Sequence, residues 1–364
     1  MKYIIFIETQ KFPEFTGGAE IFDYYLIRSL SNKLNVGYIS HYEWANCNLK
    51  FIRIPRMKPF SIFNPLFIFI QLLNKRKVIK YIHTRYSRSK WINYWPVILI
   101  NLIFKIPYVI TIHGGGLSPW KFKIFYKLFF KRAFKIIGVS KRICKEYKQR
   151  TDIDIAYSPP LIPFIKSKNS VSEIRNEKGI DKDAKVFLIV GSLKTIKNPL
   201  TIIKAILEID RDYLKNNKIL FLFAGNGPQY NDLKIIINNN SMDFVTLLGN
   251  VAHSDINKFY TLADYYIISS NFEGTPIGLL EAMFNKLSII GSNVNGINSI
   301  IIDQNNGILY NLNEYKELAE KIKLLVDDNK LALELANNAE ITFNDNFDYS
   351  NVVNFYSNIF NQLI

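Results

Sequence analysis

Short apolar runs rich in β-branched residues recur along the chain at 2–8 (KYIIFIE), 107–113 (PYVITIH), 134–140 (FKIIGVS), 186–192, 219–225, 264–270 and 287–292. Each is apolar on both faces rather than alternating, as a strand must be in a parallel sheet covered by helices on both sides. The segments between them carry helical spacing, as in Ala19–Leu30 and Asn198–Ile209. Strand, glycine or serine turn and helix, repeated in this way, predict a doubly wound α/β architecture. The pattern breaks at SPPLIPFIKSKNS, residues 158–170, where paired prolines and small polar residues take over. Two domains are therefore expected, at 1–165 and 166–340. Past Asp327 the strands stop, and helical residues 341–364 are expected to pack back toward the first domain.

Composition supports two cores. With 364 residues and 48% hydrophobic content, the chain exceeds one ordinary domain and is apolar enough to fill two. The cysteines, Cys47 and Cys144, match no metal or redox spacing and read as reduced thiols of a cytoplasmic protein. The start, MKYIIFIETQKF, lacks a small-residue cleavage site and reads as a first buried strand rather than a signal peptide. The longest uncharged apolar stretches, 59–74 and 91–104, contain proline and fall short of the roughly 20 residues that span a bilayer. A protein in solution or lying on a membrane is expected, not one that crosses it.

Charge divides the chain. The overall excess of +15 arises wholly in residues 1–165, which hold 27 Lys and Arg against 8 Asp and Glu; the remainder holds 19 against 23. Such asymmetry points to an anionic partner for the first half: membrane headgroups, a lipid phosphate or nucleic acid.

The segment richest in chemistry is SSNFEGTPIGLLEAM, 269–283. Thr275 is a suitable N-cap and Pro276 a suitable first helical residue, so a helix is expected to begin there with free amides at Ile277 and Gly278. Those amides and the helix dipole form an anion site, and Gly274 and Gly278 would let a phosphate approach the backbone. Glu273 in the preceding loop and Glu281 in the second turn would border the same ligand. Phosphate on amides with hydroxyls on acids describes a nucleotide sugar. An ordinary capped helix with two surface glutamates is the alternative.

The Glu–seven residues–Glu spacing, with FTGGAE (15–20), TIHGGG (111–116), GVS (138–140), VGSLKTIKN (190–198), FAGNGP (223–228) and LGNV (248–251) in order, resembles the large family of retaining glycosyltransferases, glycosyl transferases group 1. The resemblance spans nearly the whole chain. It implies the GT-B fold, two Rossmann-like domains facing across a cleft, and transfer of a hexose-type sugar from a nucleotide-diphosphate donor to a glycan or lipid-linked acceptor. No metal or other cofactor is implied.

Carried onto this sequence, the resemblance implies that Glu281 holds the donor ribose, Glu273 the hydroxyls of the transferred sugar, and Lys197 the diphosphate. Ser192 stands where the family usually has an arginine, and Lys194, two residues on, would substitute only as a point charge. His113 would hydrogen-bond the sugar or stabilise developing charge. Gly17 and Gly18, opening a helix that carries Glu20, would form a second amide-lined anion site, with a plain tight turn as the alternative. Gly225 would line the donor site, and backbone near Gly249 and Val251 would meet the base.

One basic feature remains. In PWKFKIFYKLFFKRAFK, 119–135, a stripe of Phe122, Phe125 and Phe129 lies beside Lys123, Lys127 and Lys131 on a helix. That is the composition of a helix lying in anionic headgroups on the inner membrane face. A core-facing amphipathic helix with a solvated basic back is the other reading. Three competing functions stay open at this point: a sugar-nucleotide epimerase or phosphorylase of the same fold, a catalytically inactive sugar-binding relative, and a basic nucleic-acid or membrane binder. The last lacks any helix-turn-helix, zinc or RNA-sheet signature, so no nucleic-acid partner is expected.

Overall fold

A computed structural model describes residues 2–7, 18–40, 50–53, 64–86, 94–113, 123–161, 164, 166–273 and 276–362. It contains two compact units: residues 1–163 with 348–364, and residues 164–347.

The first unit holds a seven-stranded parallel sheet in the order β3-β2-β1-β4-β5-β6-β7. Its strands are β1 (Tyr3–Ile7), β2 (Val36–Ser40), β3 (Lys50–Arg53), β4 (Ile79–Tyr86), β5 (Tyr108–Ile112), β6 (Lys135–Gly138) and β7 (Ala156–Tyr157). Successive side chains point to opposite faces, so each strand feeds two cores. Ile5, Ile7, Ile110 and Ile112 join one, under helices Asn64–Lys75, Trp95–Phe104 and Lys123–Arg132. Ile4, Phe6, Tyr81 and Val109 join the other, under helices Gly18–Ser31 and Tyr349–Asn361. Strand β4, IKYIHTRY, carries polar residues in this interior; His83 and Thr84 are both buried.

The second unit has six parallel strands in the order β10-β9-β8-β11-β12-β13: β8 (Lys185–Val190), β9 (Ile219–Ala224), β10 (Val245–Gly249), β11 (Tyr265–Ile268), β12 (Ser288–Ser292) and β13 (Ile308–Tyr310). Alternation again splits the interior, with Phe187, Ile189, Phe221 and Phe223 on one side and Val186, Leu188, Leu222 and Ala224 on the other. The chain steps outward from β8 to β9 and β10, then returns past β8 to β11. In open α/β sheets, ligands bind at the carboxyl ends of the strands beside such a switch point.

Helix Asn329–Phe347 packs in this unit through Ala332, Leu335, Ala339, Phe343 and Phe347. The boundary expected at 340 therefore falls inside a helix. Asp348 caps the next helix, accepting from the amides of Ser350 and Asn351, and that helix belongs to the first unit through Val352, Tyr356 and Phe360. Phe164 already packs against Phe284 and Phe343 of the second unit.

Candidate active site

The loops after β8 and β11, on either side of the switch point, are bonded together. Ser269 Oγ donates to the carbonyls of Lys197 (2.9 Å) and Asn198 (3.0 Å), and the Asn271 amide donates to Ile196 O at 2.8 Å. Asn198 takes a left-handed φ of 51° and hands the chain to Pro199, the first residue of helix Pro199–Leu207. This turn presents Lys197 toward Glu273.

Glu273 is only 7% exposed. A carboxylate in such a place must be paired. Its Oε1 accepts from Ser270 Oγ at 2.6 Å and forms an ion pair with Lys197 Nζ. Among the described residues, both bonds fall on one oxygen, Oε1. The two residues read from sequence as separate contacts thus meet each other in the free protein. Gly296, at φ +99°, lies against the Glu273 backbone, where a β-carbon would collide with the Glu273 carbonyl.

The helix that follows begins at Ile277, with Pro276 at the N-cap and no side-chain cap bond. Pro276 was expected one position further in; Thr275, the expected cap, lies with Gly274 outside the described residues. Among the described residues, the first bonds of the helix run from Leu279 and Leu280 to Pro276 O, and the Ile277 and Gly278 amides precede them in its first turn. Packing gives Gly278 a reason of its own to be glycine. A β-carbon there would run into the Tyr266 hydroxyl and come within 3.2 Å of the Tyr260 hydroxyl. The side a β-carbon would occupy is thus filled by the two tyrosines. Glu281, half-buried, accepts from Tyr260 OH through Oε2 at 2.7 Å.

Ser192 is half-buried in the β8 loop and its carbonyl takes the Lys194 amide at 2.9 Å. The Lys194 side chain is exposed and has no ion pair among the described residues. Gly225 serves packing: at φ +157° it sits on the Gly191 carbonyl, which any β-carbon would overlap. Val251 packs on the sheet core beside Gly249, whose φ is +68°. No group of three His, Cys, Asp or Glu among the described residues could hold a metal.

In the first unit, His113 follows β5 and packs edge-on against Phe22, with ring centroids 4.7 Å apart. Sequence reasoning missed what surrounds it. Asp23, buried on helix Gly18–Ser31, lies with Oδ1 3.7 Å from His113 Nε2 and Oδ2 3.2 Å from Arg85 Nη1. His83 shares a hydrogen bond with Thr111 Oγ1 at 2.8 Å, and Thr111 shares one with Tyr356 at 3.1 Å. Burial, with His113 and Arg85 nearby, pushes the His83 pKa down to about 3, so it is neutral at ordinary pH. Buried acids and hydroxyls on a helix face leave no spacing signal; the polar interruptions of β4 were the one visible hint. Gly18 opens the helix, and Gly17 lies outside the described residues.

The 119–135 segment forms helix Lys123–Arg132. Phe129, expected on a membrane-facing stripe, is instead fully buried, stacked on Tyr94 at 4.7 Å and Tyr108 at 5.4 Å. That side of the helix faces the sheet; Leu128 and Phe134 are exposed. The side chains of Phe122, Phe125, Lys123 and Lys127 lie outside the described residues. Among those described, no helix is long and apolar enough to cross a membrane.

Residues 170–342 match the family model described as glycosyl transferases group 1. An uncharacterized glycosyltransferase of Methanocaldococcus jannaschii is 27% identical over 355 residues, covering 91% of this chain and 88% of that protein. A Campylobacter jejuni α-1,4-N-acetyl-D-galactosaminyltransferase named for an undecaprenol-PP-linked glycan is 27% identical over 254 residues, 68% of this chain and 66% of that one. Among solved structures, Anabaena HepE in complex with UDP aligns over the whole of both chains with a TM-score of 0.79 at 17% identity. Residues 170–342 thus carry the likeness to glycosyl transferases group 1, and the two Rossmann-like units of the chain have the GT-B fold.

Proposed function

We propose that this protein is a retaining glycosyltransferase that moves a hexose-type sugar from a nucleoside-diphosphate donor to a glycan or lipid-linked acceptor, without a metal. The observation that carries the reading is the arrangement at the switch point of the second unit. The first-turn amides of Ile277 and Gly278, the Lys197–Glu273 pair and Glu281 lie on two bonded loops and one helix turn. Amides and an ammonium suit a diphosphate, and two carboxylates suit the hydroxyls on either side of it.

In this reading Lys197 and the amides hold the diphosphate, Glu273 accepts from the sugar hydroxyls through Oε2, and Glu281 accepts from the ribose. His113 hydrogen-bonds the transferred sugar. The bond between the anomeric carbon and the diphosphate oxygen breaks, its electron pair leaving on the diphosphate. The acceptor oxygen bonds to the same face of that carbon, and its proton passes to a diphosphate oxygen. Amides and ammonium stabilise the charge that develops on the leaving group. The undecaprenol-linked substrate in the name of the Campylobacter relative supports a lipid-linked acceptor. The absence of any acid between Glu43 and Glu146 supports contact with anionic headgroups through the basic segment 119–135 and a place at the inner face of the cell membrane.

The test is a thermal-shift screen of UDP-, GDP-, ADP- and dTDP-sugars, followed by transfer assays with EDTA and NMR of the product anomer. A shift with one donor class, EDTA-insensitive turnover and a retained anomeric configuration are expected. No shift with any of them refutes the donor site, and an inverted product refutes retention.

A further inference from the structure

Glu281 is held from behind. Tyr260, on helix His253–Leu262, donates to Glu281 Oε2 at 2.7 Å and lies 3.3 Å from the Gly278 carbonyl oxygen. Its ring is fully buried. Burial, and then the charge of Glu281, pushes its phenol well above the usual value, so the hydroxyl remains a donor throughout the neutral range. Tyr266, also buried, fills the space beside it. Neither tyrosine lies within the motif that marks this site in the sequence.

A phenol bonded to a carboxylate makes a charge-assisted bond, stronger than one between neutral groups. With Oε2 bonded to the hydroxyl of a fully buried ring, the Glu281 side chain is restrained in its orientation. A carboxylate already fixed accepts from the ribose 2′-hydroxyl without the ordering cost that a mobile side chain carries. We infer that Tyr260 is a positioning residue for Glu281 and sets the preference of the site for ribonucleotide over 2′-deoxyribonucleotide donors. The inference rests on the reading of Glu281 as the ribose acid.

The test is calorimetric titration of the full chain with UDP and 2′-deoxy-UDP, and with GDP and 2′-deoxy-GDP. In the pair bound more tightly, the wild type should favour the ribo form by about tenfold, the factor expected for one good hydrogen bond. Tyr260→Phe should weaken the ribo form by about tenfold and leave the 2′-deoxy form unchanged, bringing the ratio near one. A merely structural tyrosine would weaken both forms equally; that result, or an unchanged ratio, overturns the proposal. Glu281→Gln separates the two failures. If it abolishes the preference while Tyr260→Phe does not, Tyr260 is the error. If it too keeps the preference, the ribose reading of Glu281 falls. The double variant should match Glu281→Gln alone, because Tyr260 acts only through that carboxylate. Should Tyr260→Phe fail to fold, Glu281→Asp withdraws the carboxylate from the hydroxyl without touching the tyrosines, and a ribo preference kept there also overturns the proposal.

Discussion

Replacing Glu273 with Gln separates what its ion pair does from what its second carboxylate oxygen is proposed to do. In the free protein Lys197 is tied to Glu273, yet the proposed role of Lys197 is on the diphosphate. A donor must therefore compete with Glu273 for the ammonium. The Lys197 side chain is 33% exposed and that of Glu273 9%, so the pair lies between a surface bridge and a buried one, and solvent screens part of it. An attraction of about 1 kcal/mol is a fair magnitude. Glu273→Gln should then bind the bare nucleoside diphosphate as tightly as the wild type, or up to about fivefold more tightly. The melting temperature should fall by about 2–4 °C for a loss of that size in a unit of this length. Transfer should behave in the opposite way. A hydrogen bond to a charged acceptor is worth about 1.5–3 kcal/mol, so losing the one at Oε2 should lower kcat/KM by about 10- to 150-fold. Calorimetry with the nucleotide, differential scanning fluorimetry and initial rates measure the three effects. If the variant loses affinity for the bare diphosphate as steeply as it loses turnover, Glu273 is not acting on the sugar and the division of roles is wrong.

Three further outcomes follow from the packing. His83 is neutral in the folded state with a pKa near 3, below its unfolded value, so the unfolded chain gains protons first as pH falls and stability should drop between about pH 6.5 and 3. Between pH 7 and 5 this amounts to about 2 kcal/mol, which urea melts should show in the wild type and not in His83→Gln; an equal loss in both rules His83 out. Gly278→Ala should cost about 1–3 kcal/mol by pushing on Tyr266, and Tyr266→Phe should restore part of it; a Gly278→Ala protein as stable as the wild type contradicts the packing account. Gly225→Ala places a β-carbon on the Gly191 carbonyl at a φ that L-residues avoid, and thermal melts should show a loss above about 2 kcal/mol.

Seven of the strands could be read in the sequence because their apolar runs are continuous, and β1, β5, β6, β8, β9, β11 and β12 lie within a residue or two of those runs. Among those it hid, two kinds have a clear physical reason. Strand β13 is three residues long, too short for any period to emerge, and β7 is shorter still. Strand β4 carries His83 and Thr84 into the interior, where the hydrogen bond between His83 and Thr111 offsets a burial that composition alone would forbid. The same division holds at the site. Glu273, Ile277, Gly278 and Glu281 share one local motif and were legible together. The pairing of Lys197 with Glu273 bridges 76 positions and the Tyr260–Glu281 bond bridges 21, so both exist only once the sheet has set the loops side by side. Gly278 is the instructive case: its glycine was visible, but the tyrosines that require it sit on a strand and a helix outside the motif.

The exchange at Phe347 and Asp348 has a consequence for how the chain comes to be folded. Emerging from the ribosome, the first unit presents β1, helix Gly18–Ser31 and Tyr81 with the seat of Tyr356 and Phe360 still vacant. The second unit, begun later, needs nothing beyond Phe347 and can close before it. The half made first is thus finished last, and until residue 360 is translated its aromatic face stays open to chaperones and to other nascent chains.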